Sequence, residues 1–362
     1  MHSVTILGAG KIGATIAKLL HYSGDYSVCV GDTNAEALDR LAATLPIKTV
    51  LLDVNDEAML VKYLQGQQSV VSACPYWVNP GIARAALQAG ISYFDVTEDL
   101  ATTSAVRAIA QNATAKQVFV PQCGLAPGFI SILAYHLCHG FEKLEEVKMR
   151  VGALPLYPSN MLMYNLTWST EGLINQYCNP CDAIRNGRRV EVMPLEEIEY
   201  FSLDGVEYEA FNTSGGLGTL ADTLEGKVRN LGYKTIRHKG HRYLMSFLIQ
   251  ELGLGDRREI LKDILEQAIP TTQQDVVLIG ATVSGWKNGQ YVQVSDARKI
   301  YHGEFYGEHW GSIQITTAAS LCAVLDLHVR GDLPEKGIIK QEQIPFEAFI
   351  NNRFGQYYYS TR

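Results

Sequence analysis

Through residues 1–122, hydrophobic and polar positions follow a strand-then-helix rhythm. Short apolar runs near 3–8, 27–31, 48–52, 69–73, 92–96 and 117–121 read as buried strands. Between them, stretches near 11–22, 34–43, 56–64, 79–89 and 101–114 carry apolar residues at helical spacing. Successive strands joined through helices pair in parallel by right-handed crossovers. The pattern therefore predicts an α/β fold with a doubly wound parallel sheet, its strand carboxyl ends facing a ligand crevice.

The rhythm changes after Gln122-Cys123-Gly124-Leu125-Ala126-Pro127-Gly128-Phe129, a glycine- and proline-rich turn that opens a helix to about His139. Beyond it the pattern is mixed: a strand over 147–152, a helix around 170–177, short strands near 189–193 and 206–211, and helical stretches over 219–230 and 240–268. Asp275–Lys287 is a strongly apolar strand, and Asn288-Gly289 turns it into a second strand over 291–300. Ser312–Val329 is apolar at helical spacing and is expected to return to the first domain. The expected division is residues 1–122 plus about 310–362 as a nucleotide-binding domain, with 123–309 inserted as an α+β, mixed-sheet substrate domain.

Candidate chemistry begins where Val4-Thr5-Ile6-Leu7 runs into Gly8-Ala9-Gly10-Lys11-Ile12-Gly13 and then an apolar helix. In this strand–turn–helix context, characteristic of the Rossmann fold, Gly8 permits the tight turn and Gly10 lets a pyrophosphate approach the backbone. Gly13 brings helix and strand close. The N–H groups around Lys11, Ile12 and Gly13 at the helix start then face the anion. Asp32 ends the second strand nineteen residues after Gly13, where an acid takes the ribose 2′-hydroxyl. It would repel a 2′-phosphate, and no arginine follows until Arg40, so NAD is expected over NADP. Asp53 and Val54, closing the third strand, are placed to meet the adenine; Ala73 and Cys74, closing the fourth, are placed to meet the nicotinamide ribose. Tyr76 and Trp77 follow as walls for a reaction chamber or as loop-edge packing.

Composition narrows the partners. The net charge of −7 and pI near 5.7 argue against a nucleic-acid or anionic-membrane surface. No uninterrupted apolar run of about eighteen residues occurs, and a strand is entered by Val4 without a basic, apolar leader. The expectation is a cytoplasmic protein whose partners are a small molecule and further copies of itself. Seven cysteines scattered through predicted elements do not form a disulfide framework, and Cys178-Asn179-Pro180-Cys181 reads as a helix-terminating turn, so no metal is expected. The motifs of serine hydrolases, zinc proteases and P-loop kinases are absent from the sequence.

Two stretches carry further polar chemistry. At the end of the fifth strand, Asp95-Val96-Thr97-Glu98-Asp99 places three carboxylates together. Asp95 and Glu98 can bind an amine or take its proton, while Thr97 can cap the next helix with Glu98 and Asp99 in its first turn. In the middle region, Thr213 and Ser214 lie in the glycine loop Phe211-Asn212-Thr213-Ser214-Gly215-Gly216, which can hold a carboxylate. Tyr233-Lys234-Thr235-Ile236-Arg237-His238-Lys239-Gly240-His241 follows. Strand alternation sends Thr235, Arg237 and Lys239 to one face, making Arg237 and Lys239 candidates for the substrate carboxylate. His241 is the candidate for proton transfer.

At these residues the chain resembles the saccharopine dehydrogenase-like family, and within it the lysine 6-dehydrogenase branch. The likeness is carried by Gly8-Ala9-Gly10 with Asp32, Gly124-Leu125-Ala126-Pro127-Gly128, Gly152-Ala153-Leu154-Pro155, Ser169-Thr170-Glu171-Gly172-Leu173, and the two middle blocks just quoted. It implies NAD(P)-dependent oxidation at a carbon–nitrogen bond of an amino acid, with the lysine ε-amine as the leading substrate; the alternatives are imine reduction by a saccharopine- or carboxynorspermidine-type enzyme and, in another class, a non-catalytic NAD-sensing protein. It also implies a Rossmann domain completed by the C-terminal segment and homo-oligomers joined through the inserted domain. Thr97-Glu98-Asp99 stands where that branch has a glycine-rich stretch, which bears on the identity of the amine.

Overall fold

The computed structural model describes residues 1–114 and 116–359. Two compact units are formed, Met1–Phe129 with Gln314–Tyr357, and Ile130–Ile313 with Tyr358 and Tyr359. The first crossover falls at 129/130 rather than 122/123. Residues after Gln122 remain tied to the first unit: Cys123 N donates to Asp95 O at 2.8 Å, and Gln341 Nε2 donates to Pro121 O at 2.8 Å.

The first unit opens with β1 (His2–Leu7), α1 (Lys11–Ser23), β2 (Tyr26–Asp32), α2 (Ala35–Thr44), β3 (Lys48–Leu51), α3 (Glu57–Leu64) and β4 (Ser69–Ser72). It continues through α4 (Asn79–Ala89), β5 (Ser92–Asp95), α5 (Leu100–Ala110) and β6 (Val118–Val120). Local sequence sets the helix ends. Asn34 and Asp56 cap α2 and α3 by accepting from Ala37 N and Met59 N, and Gly24 ends α1 in the left-handed region at φ 84°. Leu7, Leu60, Leu64, Val70, Ile82, Tyr93 and Phe119 form the buried core of helices on sheet.

The second unit contains α6 (Phe129–Leu137), β7 (Lys143–Pro155), α7 (Thr170–Cys178), β8 (Cys181–Arg185), β9 (Arg188–Val192), β10 (Glu199–Leu203), β11 (Val206–Asn212), α8 (Leu220–Leu224), β12 (Val228–His238), α9 (His241–Ser246), α10 (Arg258–Ala268), β13 (Asp275–Lys287), β14 (Gln290–Tyr301), β15 (Gly303–Phe305) and β16 (Glu308–Trp310). Its main sheet runs β10-β11-β12-β7-β13-β14, with β8 on β12 and β9 on β8; β12 and β7 are parallel and the other neighbours antiparallel. The mixed sheet matches expectation, and the β13–β14 hairpin turns at Asn288 and Gly289, φ 53° and 73°. The helix expected over 219–230 is cut to α8, because Gly226 at φ 75° breaks it and β12 begins at Val228. One sheet face packs Tyr164, Leu173, Tyr177, Phe211, Leu261 and Leu265, the other Leu154, Tyr208, Ala210, Ile236 and Leu278.

The chain then passes through α11 (Ser312–Val329), β17 (Gly337–Ile338) and α12 (Phe346–Ile350). By length and composition α11 could span a membrane, and 72% of it is buried inside the protein. Within the first unit Gln314 Nε2 donates to Thr15 Oγ1 at 2.6 Å, and Tyr26 Oη donates to Asp326 Oδ1 at 2.7 Å. The unit closes as a seven-stranded, all-parallel sheet in the order β17-β6-β5-β4-β1-β2-β3. The two-residue strand β17 was too short to show in the sequence pattern.

Candidate functional site

The first unit builds a dinucleotide cradle from its glycines. Gly8 has φ 104°, and a Cβ there would lie 2.8 Å from Ala73 O, so the turn after β1 can approach the end of β4 this closely only with glycine at position 8. A Cβ on Gly13 would fall 1.9 Å from Gly8 O, which fixes how closely α1 approaches the turn. Gly10 has nothing within 4 Å of the corresponding position, and no side chain caps α1. This is an open approach to the first-turn amides of Lys11, Ile12 and Gly13, as a pyrophosphate requires.

Asp32, at the end of β2, accepts from Ala9 N at 2.6 Å through Oδ2 and from Asn34 N at 2.8 Å through Oδ1. The carboxylate is thereby fixed beside the glycine turn. Gly10, Lys11, Asp32 and Asn34 line a cavity of about 550 Å³, and Lys18 and Arg40 line it too. Counted along the sequence Arg40 stands apart from Asp32, but the turns of α2 return it to the same cavity. Its paired acid is the exposed Glu36, 3.8 Å away. Asp53 is exposed and accepts from its own turn, at Asn55 N and Nδ2. Val54 and Cys74 pack against the core, and burial pushes the Cys74 thiol up to about 12.

The three acids after β5 separate into different roles. Asp95 is completely buried and accepts from Tyr93 Oη at 2.7 Å, Thr97 N at 2.9 Å and Gln122 N at 3.0 Å. Burial pushes its carboxyl up to about 6 against those three donors. The expectation that Asp95 holds the amine is corrected by this geometry, since its oxygens tie β5 to the chain after β6. Asp99 is the N-cap of α5, accepting from Thr102 N at 2.7 Å, and Thr97 instead accepts from Asp99 N. Glu98 is half-buried; loss of solvation pushes its carboxyl up to about 7, and the charges of Asp99 and Asp95 add to the shift. Tyr76 is half-buried and packs edge-on against the exposed Trp77, ring centroids 5.2 Å apart.

In the second unit β12 delivers Arg237 to the helix-covered face of the sheet, only 2% exposed. Its guanidinium lies 5.5 Å from the Tyr164 ring centroid and 5.8 Å from that of Tyr177. Nε donates to Tyr177 Oη at 2.8 Å and Nη1 to Ile236 O at 2.8 Å. Lys239, expected beside it, lies past the end of β12 and pairs with Glu207 at 3.1 Å in solvent. His241 is fully buried, with Nε2 3.0 Å from Tyr177 Oη and Nδ1 2.9 Å from Leu162 O. Burial, with the nearby Arg237 charge, lowers its pKa to about 3, and with both ring nitrogens engaged inside the unit and no exposed surface His241 departs from the expected proton-transfer placement. Ser214 Oγ donates to Pro180 O at 2.9 Å and serves the loop, whereas Thr213 Oγ1 is buried without a partner. Tyr164 and Tyr177 had no local signal in the sequence; Tyr177 lies sixty residues from Arg237 and meets it only through the packing of α7 on the sheet. Among the described residues no cluster of three or more metal-ligating side chains occurs.

Residues 4–120 match the saccharopine dehydrogenase NADP binding domain and residues 124–355 the saccharopine dehydrogenase C-terminal domain. The chain is 25% identical over 355 residues to the saccharopine dehydrogenase [NADP(+), L-glutamate-forming] of Saccharomyces cerevisiae, covering 90% of this chain and 76% of that protein. It is 23% identical over 297 residues to the mitochondrial alpha-aminoadipic semialdehyde synthase of Mus musculus, covering 78% of this chain but only 31% of that longer protein. The apo structure of the yeast saccharopine dehydrogenase shares the fold, with a TM-score of 0.79 at 16% identity over 97% of this chain and 96% of that one. A parallel nucleotide-binding sheet followed by a mixed-sheet unit, matched end to end by both domains, places this chain in the saccharopine dehydrogenase family.

Proposed function

We propose that the chain is a nicotinamide-dependent oxidoreductase acting on a carbon–nitrogen bond of an amino acid, with the lysine ε-amine as the leading substrate. The observation that carries this reading is the glycine cradle with its fixed Asp32, together with a half-buried Glu98 whose carboxyl is poised near neutrality. The first-turn amides of α1 and Asp32 would hold a dinucleotide, which would supply a hydride acceptor for the carbon beside the amine. The chain's own work is to orient the substrate and remove protons. A positively charged ammonium opposes hydride departure, so the neutral amine is the reactive form, and Glu98 takes its proton. The resulting iminium of the substrate is hydrolysed by water.

For the cofactor, Asp32 favours NAD, because its carboxylate sits where a 2′-phosphate would add negative charge. Lys11, Lys18 and Arg40 in the same cavity act in the other direction, and relatives are named as NADP enzymes. The contribution of Asp32 is expected to dominate, as the acid nearest the glycine turn. Oxidation of lysine at alkaline pH, followed by NADH or NADPH absorbance, tests both points. Faster turnover with NAD supports the reading, and Asp32→Ser is expected to move the NAD/NADP ratio of kcat/KM toward NADP by about tenfold or more. A second reading, a saccharopine-type reaction on a secondary amine, is favoured by the names of the relatives. Turnover of saccharopine but not lysine would establish it in place of the first.

A further inference from the structure

Two Asn-Gly pairs occur in the sequence, Asn186-Gly187 and Asn288-Gly289, and each forms the two-residue turn of an antiparallel hairpin, β8–β9 and β13–β14. All four residues lie in the left-handed region, Asn186 and Gly187 at φ 52° and 82°, Asn288 and Gly289 at φ 53° and 73°, as a type I′ turn requires. Both asparagines are exposed, and each follows a basic residue, Arg185 or Lys287. Sequence and turn type therefore give the two pairs the same local chemistry. The glycine nitrogen of such a pair can attack the Cγ of the asparagine, because glycine has no Cβ to obstruct the approach. The bond from that nitrogen to Cγ forms and the bond from Cγ to the side-chain nitrogen breaks; the proton lost by the glycine N–H leaves with it as ammonia. Water then opens the five-membered imide at either carbonyl, giving aspartate or, with the main chain rerouted through Cβ, isoaspartate.

The surroundings of the two turns differ. Gly187 N, the atom that would attack, donates to Arg229 O at 2.8 Å. Gly187 O accepts from Gly226 N at 3.0 Å, and Asn186 N donates to Asn230 Oδ1 at 3.3 Å. The segment 226–230 thus holds the β8–β9 turn by three bonds, with the attacking nitrogen in one of them. Gly289 N has no hydrogen-bond partner among the described residues, and one bond ties its turn to the chain outside the hairpin, from Asn288 N to Glu142 Oε1 at 3.0 Å. We propose that Asn288 is a site of self-modification, losing its amide to become aspartate or isoaspartate, while the fold protects Asn186. The product adds a carboxylate to the turn that Glu142 holds, and the isoaspartate form adds a methylene to the main chain, which ends the type I′ geometry closing β13 on β14. Nothing in this reaction depends on the oxidoreductase reading.

The test ages the full, unaltered chain in mildly alkaline buffer at physiological temperature, once folded and once in urea, and follows both asparagines by peptide mapping with mass spectrometry. In urea the two sites should react at rates within about threefold of each other, since only their neighbours in sequence remain to distinguish them. In the folded chain Asn288 should react at least about fivefold faster than Asn186, because the bonds around Gly187 must open before its nitrogen can attack. Equal rates in the folded chain, or a ratio no different from that in urea, overturn the proposal. So does an Asn288 that stays intact in the folded chain while both sites react in urea.

Discussion

Glu98 makes a pH-dependent claim at the scale of one residue. With its carboxyl raised to about 7, it is protonated below that pH and able to accept a proton above it. The kcat/KM for amine oxidation should therefore rise through pH 7 and again near the amine's own pKa; Glu98→Gln should erase the first rise and lower the rate by about 10²–10⁴. His241 makes an independent claim about stability. Its pKa falls from 6.5 to about 3 on folding, so between those values the unfolded chain binds the extra proton and stability is lost as the solution is acidified. Asp95, raised to about 6, acts with the opposite sign over its own window, gaining a proton in the folded state first. Urea unfolding at pH 7 and pH 4.5 should consequently show a smaller acid loss for His241→Gln than for the unaltered chain. Several of these side chains were legible in the sequence, because Gly8, Gly10, Gly13 and Asp32 act through spacing along a few residues. Lys239 was misplaced because alternation was continued one residue past the end of β12, and the Tyr177–His241–Arg237 chain was invisible because it depends on which helix covers which strand.

At the scale of an element, the β1–turn–α1 unit separates folding from binding. Gly13→Ala would put a Cβ 1.9 Å from Gly8 O, forcing α1 away from the turn, and is expected to cost about 1–3 kcal/mol of stability as well as nucleotide affinity. Gly10→Ala meets nothing within 4 Å in the protein itself, so its melting temperature should hold while dinucleotide affinity falls at least about tenfold. Calorimetric melting and dinucleotide titration of both variants check the contrast. Elements with strong local punctuation were readable in advance: Asn288-Gly289 for the β13–β14 hairpin, and the βα alternation for the parallel sheet. The short strands β8, β10 and β17 were not: β8 and β10 take their places through two-residue hairpins with β9 and β11, and β17 through parallel pairing with the distant β6, rather than from their own periodicity.

At the scale of the whole molecule, the first unit is assembled from both ends of the described chain. Asp326 on α11 is buried and receives Tyr26, Asn352 and Arg353, the last also pairing with Asp25. Arg353→Met removes the only cation bonded to that carboxylate among the described residues, and should destabilise the first unit by about 3 kcal/mol, read as a shifted denaturation midpoint. The return of 314–357 also sets a schedule for biosynthesis. At about 5–20 residues per second, the ribosome needs on the order of ten to fifty seconds between delivering residue 129 and residue 357. During that interval the glycine turn has emerged but lacks α11 and the β17 edge, so the intervening unit has time to fold while the nucleotide-binding sheet waits, with its β6 edge open to chaperones or to mispairing.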